Sequence, residues 1–196
     1  MQQEIHHHYI LHKPFRYLSQ FINNQNKRKN KKLLGELYDF AEGTMAIGRL
    51  DVASEGLLLL TTDGKVSEEI RSSKYEKEYY VQVDGLITQE AVEELKTGVE
   101  IGFDGKKYIT KPGKSFLIED PKFPLRSQKI RDERHGPTSW VSIIIREGKF
   151  RQVRKMTAAV GYPTLRLIRI RIGEIELDNL EINGVKEVLN FIKKEK

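Results

Sequence analysis

Residues 165–177, LRLIRIRIGEIEL, set Ile168, Ile170 and Ile172 in alternation with Arg169 and Arg171. A period of two places alternate side chains on opposite faces of an extended chain, a pattern a helix cannot use. Two more segments carry strand signals. KEYYVQVDG (77–85) puts Tyr79, Val81 and Val83 on one face and Glu78, Tyr80 and Gln82 on the other, and SWVSIIIREG (139–148) is rich in β-branched residues. YILHKP is a short strand stopped by Pro14, and TMAIGRLD and GLLLLTTDG flank a Ser-Glu-Gly turn, with Leu57–Leu60 as core.

Helical periods are fewer. One helix is expected from Asp63-Gly64 to about Ser72 and another over Thr88–Lys96, capped by Thr88 with Val92 and Leu95 inward. A short amphipathic helix is expected in LLGELYDF. A further one is expected in GVKEVLNFIKK, where Val185, Val188, Leu189 and Ile192 fall at helical spacing. Long strands broken by single helices predict an α+β fold with a central, largely antiparallel or mixed sheet, and helices and loops flanking a cleft. The expected organisation is a disordered tail over residues 1–8 and one domain over 9–196, either undivided or as two lobes sharing one sheet.

The 196 residues suffice for a sizeable core, and 38% apolar with 32% charged residues fits an ordinary soluble chain. The longest apolar run is far shorter than the roughly 20 residues of a membrane span. With no signal-peptide pattern, the expected location is the cytoplasm. There is no cysteine, so disulfides and thiolate metal sites are excluded. His6, His7 and His8 are consecutive near the terminus, a poor basis for convergent metal ligation.

Charge points to an acidic partner. Thirty-four Lys and Arg against 28 Asp and Glu give net +6, which favours phosphate-rich ligands by counterion release. NNQNKRKNKK (23–32) carries Lys27, Arg28, Lys29, Lys31 and Lys32 with no anion, and either lies along a phosphate backbone or is a solvated loop. A second cluster, REGKFRQVRK (146–155), contains Lys149, Arg151 and Lys155. A third spans Lys122–Arg134, with Arg131 and Arg134, among prolines.

On a helix begun at Phe150, the residues Phe150, Val153, Met156, Thr157 and Val160 share one side and Arg151 and Lys155 the other. Arg154 falls on the shoulder, where a guanidinium can be half-buried and grip a carboxylate, or simply meet phosphate or solvent. The stretch AIGRLDVASEGLLLLTTDGK (46–65) sets Arg49 and Asp51 just before the apolar strand, either as an ordinary ion pair or as a loop held rigid for chemistry.

GRLDVASEGLLLLTTDG, KEYYVQVDG and EGKFRQVRKMTAAVGYPTLRLIRIRIG together, in this order and spacing, resemble the pseudouridine synthases that modify bacterial ribosomal RNA, in the small-subunit synthase A-like group. YILHKPFRYLSQF, PTSW and LDNL extend the match over most of residues 9–182. The resemblance implies the pseudouridine synthase catalytic fold without the separate N-terminal RNA-binding domain of many relatives, and isomerisation of uridine in large-subunit ribosomal RNA. It implies that Asp51 is the essential carboxylate, that Tyr79 stacks on the target base and accepts a proton, and that Arg154 pairs with Asp51. Arg151 stands where many relatives carry His, a departure that touches only a phosphate or loop contact. Arg49, Lys27, Arg28, Lys29, Lys31, Lys32, Lys149, Arg151, Lys155, Arg131 and Arg134 are the expected RNA contacts.

The implied reaction breaks N1–C1′, rotates the uracil and joins C5 to C1′. It has no redox change and implies neither metal nor organic cofactor. The carboxylate can attack C1′, attack C6 or take the 2′ proton. The target base must leave its stack. A monomer without an obligate protein partner is expected. Two other classes compete: a silent RNA-binding factor on the same scaffold, and a glycosidase-like enzyme on small nucleosides.

Overall fold

The computed structural model describes residues 5–22, 31–126, 128–130 and 133–191. Two compact units emerge, one from residues 1–75 with 173–196 and one from residues 76–172.

In the first unit, β1 (His8–Lys13) lies between β11 (Val185–Val188) and β3 (Glu55–Thr61), antiparallel to both, and the two-residue β2 (Met45–Ala46) pairs with the end of β3. Every residue of β3 is buried. That explains a leucine run with no alternation, since a strand covered on both faces has no polar side to display. Leu11, Leu34, Leu57–Leu60 and Ile70 form this core. The helix α1 (Gly64–Arg71) is capped by the Asp63 carboxylate, which accepts the Lys65 and Val66 amides. Burial raises the Asp63 pKa, and those two amides together with the His6 and His8 rings more than offset it, leaving the carboxyl below its usual value.

The tail expected over 1–8 is corrected at residues 6–8, and residues 1–4 lie outside the described residues. His8 opens β1 and is 5% exposed, while the His6 ring meets the Thr62 hydroxyl at 3.3 Å and the His7 ring meets Glu187 at 2.6 Å. The C-terminal helix is also corrected. Residues 185–188 pair with Leu11–His8, and Leu189, expected inward, is 91% exposed. Backbone hydrogen bonds offered by the edge of β1 outweigh a short helical period. LLGELYDF yields only a 3-10 turn, Leu34–Glu36, and TMAIGRLD only the two residues of β2.

The second unit is a four-stranded antiparallel sheet in the order β9-β4-β8-β7, built from β4 (Lys77–Asp84), β7 (Lys114–Ile118), β8 (Thr138–Ile145) and β9 (Thr164–Ile172). Between β4 and β7 come α2 (Gln89–Thr97), capped by Thr88 as expected, and a hairpin of β5 (Glu100–Phe103) and β6 (Lys106–Ile109). The α3 helix (Gln152–Ala159) joins β8 to β9. The single strand expected over 165–177 ends at Ile172. Gly173, at φ +58°, turns the chain before the two-residue β10 (Ile175–Glu176).

Candidate active site

Asp51 sits in the loop between β2 and β3, and its neighbours fix it. Leu50 is 7% exposed, so burying it leaves Arg49 outward and Asp51 half-buried on either side. The Ser19 hydroxyl accepts the Leu50 N–H and donates to the Leu50 carbonyl, each at 3.0 Å. Beyond Asp51 the chain closes a turn, with Ser54 N–H donating to the Asp51 carbonyl at 2.9 Å and Arg16 N–H to Val52 at 2.9 Å. The Lys13 ammonium, fully buried, donates to the carbonyls of Ser54 (2.8 Å) and Pro14 (3.0 Å). Gly48 gives the loop its entry at φ +69°, a conformation that suits glycine. Neither Ser19 nor Lys13 was a sequence candidate; the only signal was a lysine inside an apolar strand segment.

Tyr79 lies on the buried face of β4, 8% exposed, with Val81 and Val83 as the alternation predicts. Its cross-strand neighbours are Ile143 on β8 and Arg169 on β9. Arg169 reaches this face because the register slips: Glu78 opposes Arg171 but Tyr79 opposes Arg169, leaving Ile170 as an extra residue. Such a bulge turns the following side chains to the other face. The two arginines therefore separate. Arg171 binds Glu78 at 2.8 Å and approaches Glu76 at 3.6 Å, whereas Arg169 is 5% exposed on the Tyr79 side.

Lys77 shares that face at 9% exposure and donates to the Arg146 carbonyl at 3.2 Å. Burial, reinforced by the Arg169 and Arg146 cations, lowers its pKa to about 8.

Arg154 occupies the first turn of α3, half-buried as the shoulder position predicts. The wheel needs one correction. The helix starts at Gln152, since Arg151 adopts φ +53°, and Phe150 is 63% exposed instead of facing the core with Val153, Met156 and Thr157. Two expected RNA contacts are engaged within their own unit. The Lys149 ammonium lies 4.7 Å from the Phe103 ring centre and 4.8 Å from that of Tyr108, and Lys155 donates to the Gly102 carbonyl at 2.6 Å. Lys31, Arg49, Arg134 and Arg151 are exposed, and exposed Lys32 stands 5.6 Å over the Tyr17 ring. Lys27, Arg28, Lys29 and Arg131 lie outside the described residues. Asp51 and Arg49 thus share one loop of the first unit; Tyr79 and Arg154 stand on a strand and a helix of the second.

The fold is that of the pseudouridylate synthases. A crystal structure of pseudouridylate synthase superposes with TM-score 0.74 at 27% identity, over 96% of this chain and 72% of that one. The human RNA pseudouridylate synthase domain containing 1 shares the fold at TM-score 0.53 and 15% identity, over 94% of this chain and 79% of its own.

The chain belongs to the RNA pseudouridylate synthase family, which matches residues 7–159. Ribosomal large subunit pseudouridine synthase E of Vibrio vulnificus is 39% identical over 181 residues, 91% of this chain and 74% of that protein. Its counterpart in Xanthomonas axonopodis pv. citri is 38% identical over 174 residues, 87% of this chain and 88% of that protein. The activity is that of an RNA pseudouridine synthase, the isomerisation of uridine to its C-glycoside. Among the described residues no cluster of His, Cys, Asp or Glu could hold a metal ion, and no helix is long and apolar enough to cross a membrane.

Proposed function

We propose that the protein isomerises a specific uridine of large-subunit ribosomal RNA, with Asp51 as the carboxylate that acts on the target nucleotide. The observation that carries this is the 38–40% identity to ribosomal large subunit pseudouridine synthase E over about nine-tenths of the chain. The anchoring of the Asp51 loop supports it. A carboxylate that must meet one atom of a nucleotide gains from pre-organisation, and Ser19, Lys13 and the buried Leu50 supply it.

Tyr79 receives the flipped base by stacking and accepts the C5 proton after C5 joins C1′. Arg154 supplies the guanidinium of the reaction, by the family resemblance of its QVR motif. The N1–C1′ bond breaks and C5–C1′ forms within one nucleotide, so only the C5 proton leaves and N1 gains one. The protein acts as a cytoplasmic monomer, its exposed cations lying along the RNA backbone.

The test is to incubate native protein and Asp51→Asn with large-subunit RNA bearing tritium at uridine C5, and to count label released to water. Release by the native protein alone is expected. Equal release from both would reassign Asp51. Release from neither, on naked RNA and on subunit precursors alike, would leave a silent RNA-binding factor.

A further inference from the structure

We propose that Glu147 is a positioning residue for the isomerisation, its carboxylate locking the first turn of α3 onto the β5–β6 hairpin and so fixing where Arg154 is presented. The inference rests on the reading of Arg154 given above. Three donors from three places converge on this one side chain. Its Oε1 accepts the Gln152 side-chain amide at 2.6 Å and the Lys111 backbone N–H at 2.8 Å, and its Oε2 accepts the Tyr108 hydroxyl at 2.5 Å. Tyr108 belongs to β6, Lys111 follows it, and Gln152 is the first residue of α3.

The lock continues through its partners. Gln152 is 3% exposed, and its Oε1 accepts the Lys149 backbone N–H at 3.0 Å. The Lys149 ammonium sits against the Phe103 and Tyr108 rings, so the same hairpin holds the loop from its other side. The hydrogen bond to Glu147, with burial adding to it, raises the Tyr108 pKa, which keeps the phenol a donor.

The helix needs such an anchor. It has eight residues, and a helix that short is marginal without tertiary support. Its N-cap, Arg151, makes no capping hydrogen bond through its side chain and sits at φ +53°, a costly conformation for a residue with a Cβ. The first amide of α3, that of Gln152, donates to the Lys149 carbonyl at 3.1 Å, so the start of the turn depends on how that loop is held, and Arg154 is the third residue of this turn. Lys155, bonded to Gly102, adds a second tether to β5.

The experiment compares Glu147→Ala with Glu147→Gln, using tritium release under single-turnover conditions, the Kd for the same RNA, and amide hydrogen exchange, at a temperature where each variant is fully folded. Glutamine keeps an acceptor oxygen for Gln152 and Lys111 and can donate its amide to the Tyr108 oxygen. The expected outcome is a rate about 10- to 100-fold lower for Glu147→Ala and within about threefold of native for Glu147→Gln. RNA affinity should change less than about twofold, the mark of an interaction used in the chemical step. Exchange at the Lys149 and Lys155 amides should speed up about tenfold in Glu147→Ala, with β4 and β8 unchanged.

A native rate for Glu147→Ala, an equally slow Glu147→Gln, or a loss in affinity in place of rate would overturn the proposal. Should Glu147→Ala not fold, Tyr108→Phe removes a single donor and is expected to lose about threefold in rate with RNA affinity kept, a native rate again overturning it. Arg154→Ala separates the two layers. Native turnover there would end the reading of Arg154 and this proposal with it, whereas an impaired Arg154→Ala beside a native-like Glu147→Ala would end this proposal alone.

Discussion

Lys77 is an ammonium group on the buried face of β4, with the Arg169 and Arg146 cations adding to the cost of its charge. Its ordinary pKa of 10.5 falls to about 8 in the folded protein. From about pH 8 to 10.5 the unfolded chain holds a proton that the folded chain has released, so stability rises with pH across that window, by up to about 1.4 kcal/mol per unit. Tyr75 and Tyr108 have raised pKa values and act in the opposite sense, but only above their ordinary value of 10.0. Urea midpoints between pH 7.5 and 9.5 should therefore climb for the native protein and stay flatter for Lys77→Met. Parallel curves would mean Lys77 is not titrating there.

Single residues also mark where sequence reading stops. The place of Tyr79 on a strand face is legible from alternation, and Asp51 is singled out by its position before the apolar strand and by the family resemblance. Arg169 is not, because a bulge is one extra residue with no signature in the alternation and only pairing with Glu78 and Tyr79 reveals it. Lys13 is missed for a related reason. Nothing local tells that a strand lysine will turn inward to hold the Ser54 carbonyl.

Among the elements, those with strong local chemistry are the legible ones. Thr88 and Asp63 cap their helices because a short oxygen-bearing side chain at that position satisfies free amides, whatever surrounds it. The β5–β6 hairpin, absent from the sequence expectations, carries a local mark all the same, Asp104-Gly105 at φ +52° and +73°, the pair a tight two-residue turn favours. Residues 185–188 have no such mark, and pairing with β1 decides them. The junction of α2 with β5 shows how tightly a tertiary contact can bind one position. Gly98 sits at φ +109°, and a Cβ there would overlap the Thr110 carbonyl oxygen, while Thr110 also bonds Val99 through its backbone N–H and its hydroxyl. Gly98→Ala should lose at least about 2 kcal/mol in urea unfolding, from the left-handed conformation and the overlap together. Gly102→Ala, where an added Cβ meets nothing within 4 Å, should stay within about 0.5 kcal/mol. Equal losses would remove the steric account.

The whole chain carries net +6, and of the expected RNA contacts the exposed Lys31, Lys32, Arg49 and Arg151 lie in loops and turns and Arg134 in a short 3-10 helix. A folded core does not need positive charge so placed, whereas a polyanion does. If the protein neutralises about four phosphates of a single strand, affinity for a ribosomal RNA fragment should fall roughly 50-fold between 50 and 200 mM salt. Asp51→Asn removes no cation and should keep the same slope with its turnover lost. Replacing Lys31 and Lys32 together by Gln should lower the slope by about 1 to 1.5 while leaving the rate on bound RNA unchanged. A substrate the size of a nucleoside offers no row of phosphates, so affinity independent of salt would favour the small-nucleoside alternative over the RNA one. A steep slope untouched by the Lys31 and Lys32 changes would keep RNA as the partner and move the contact to other cations.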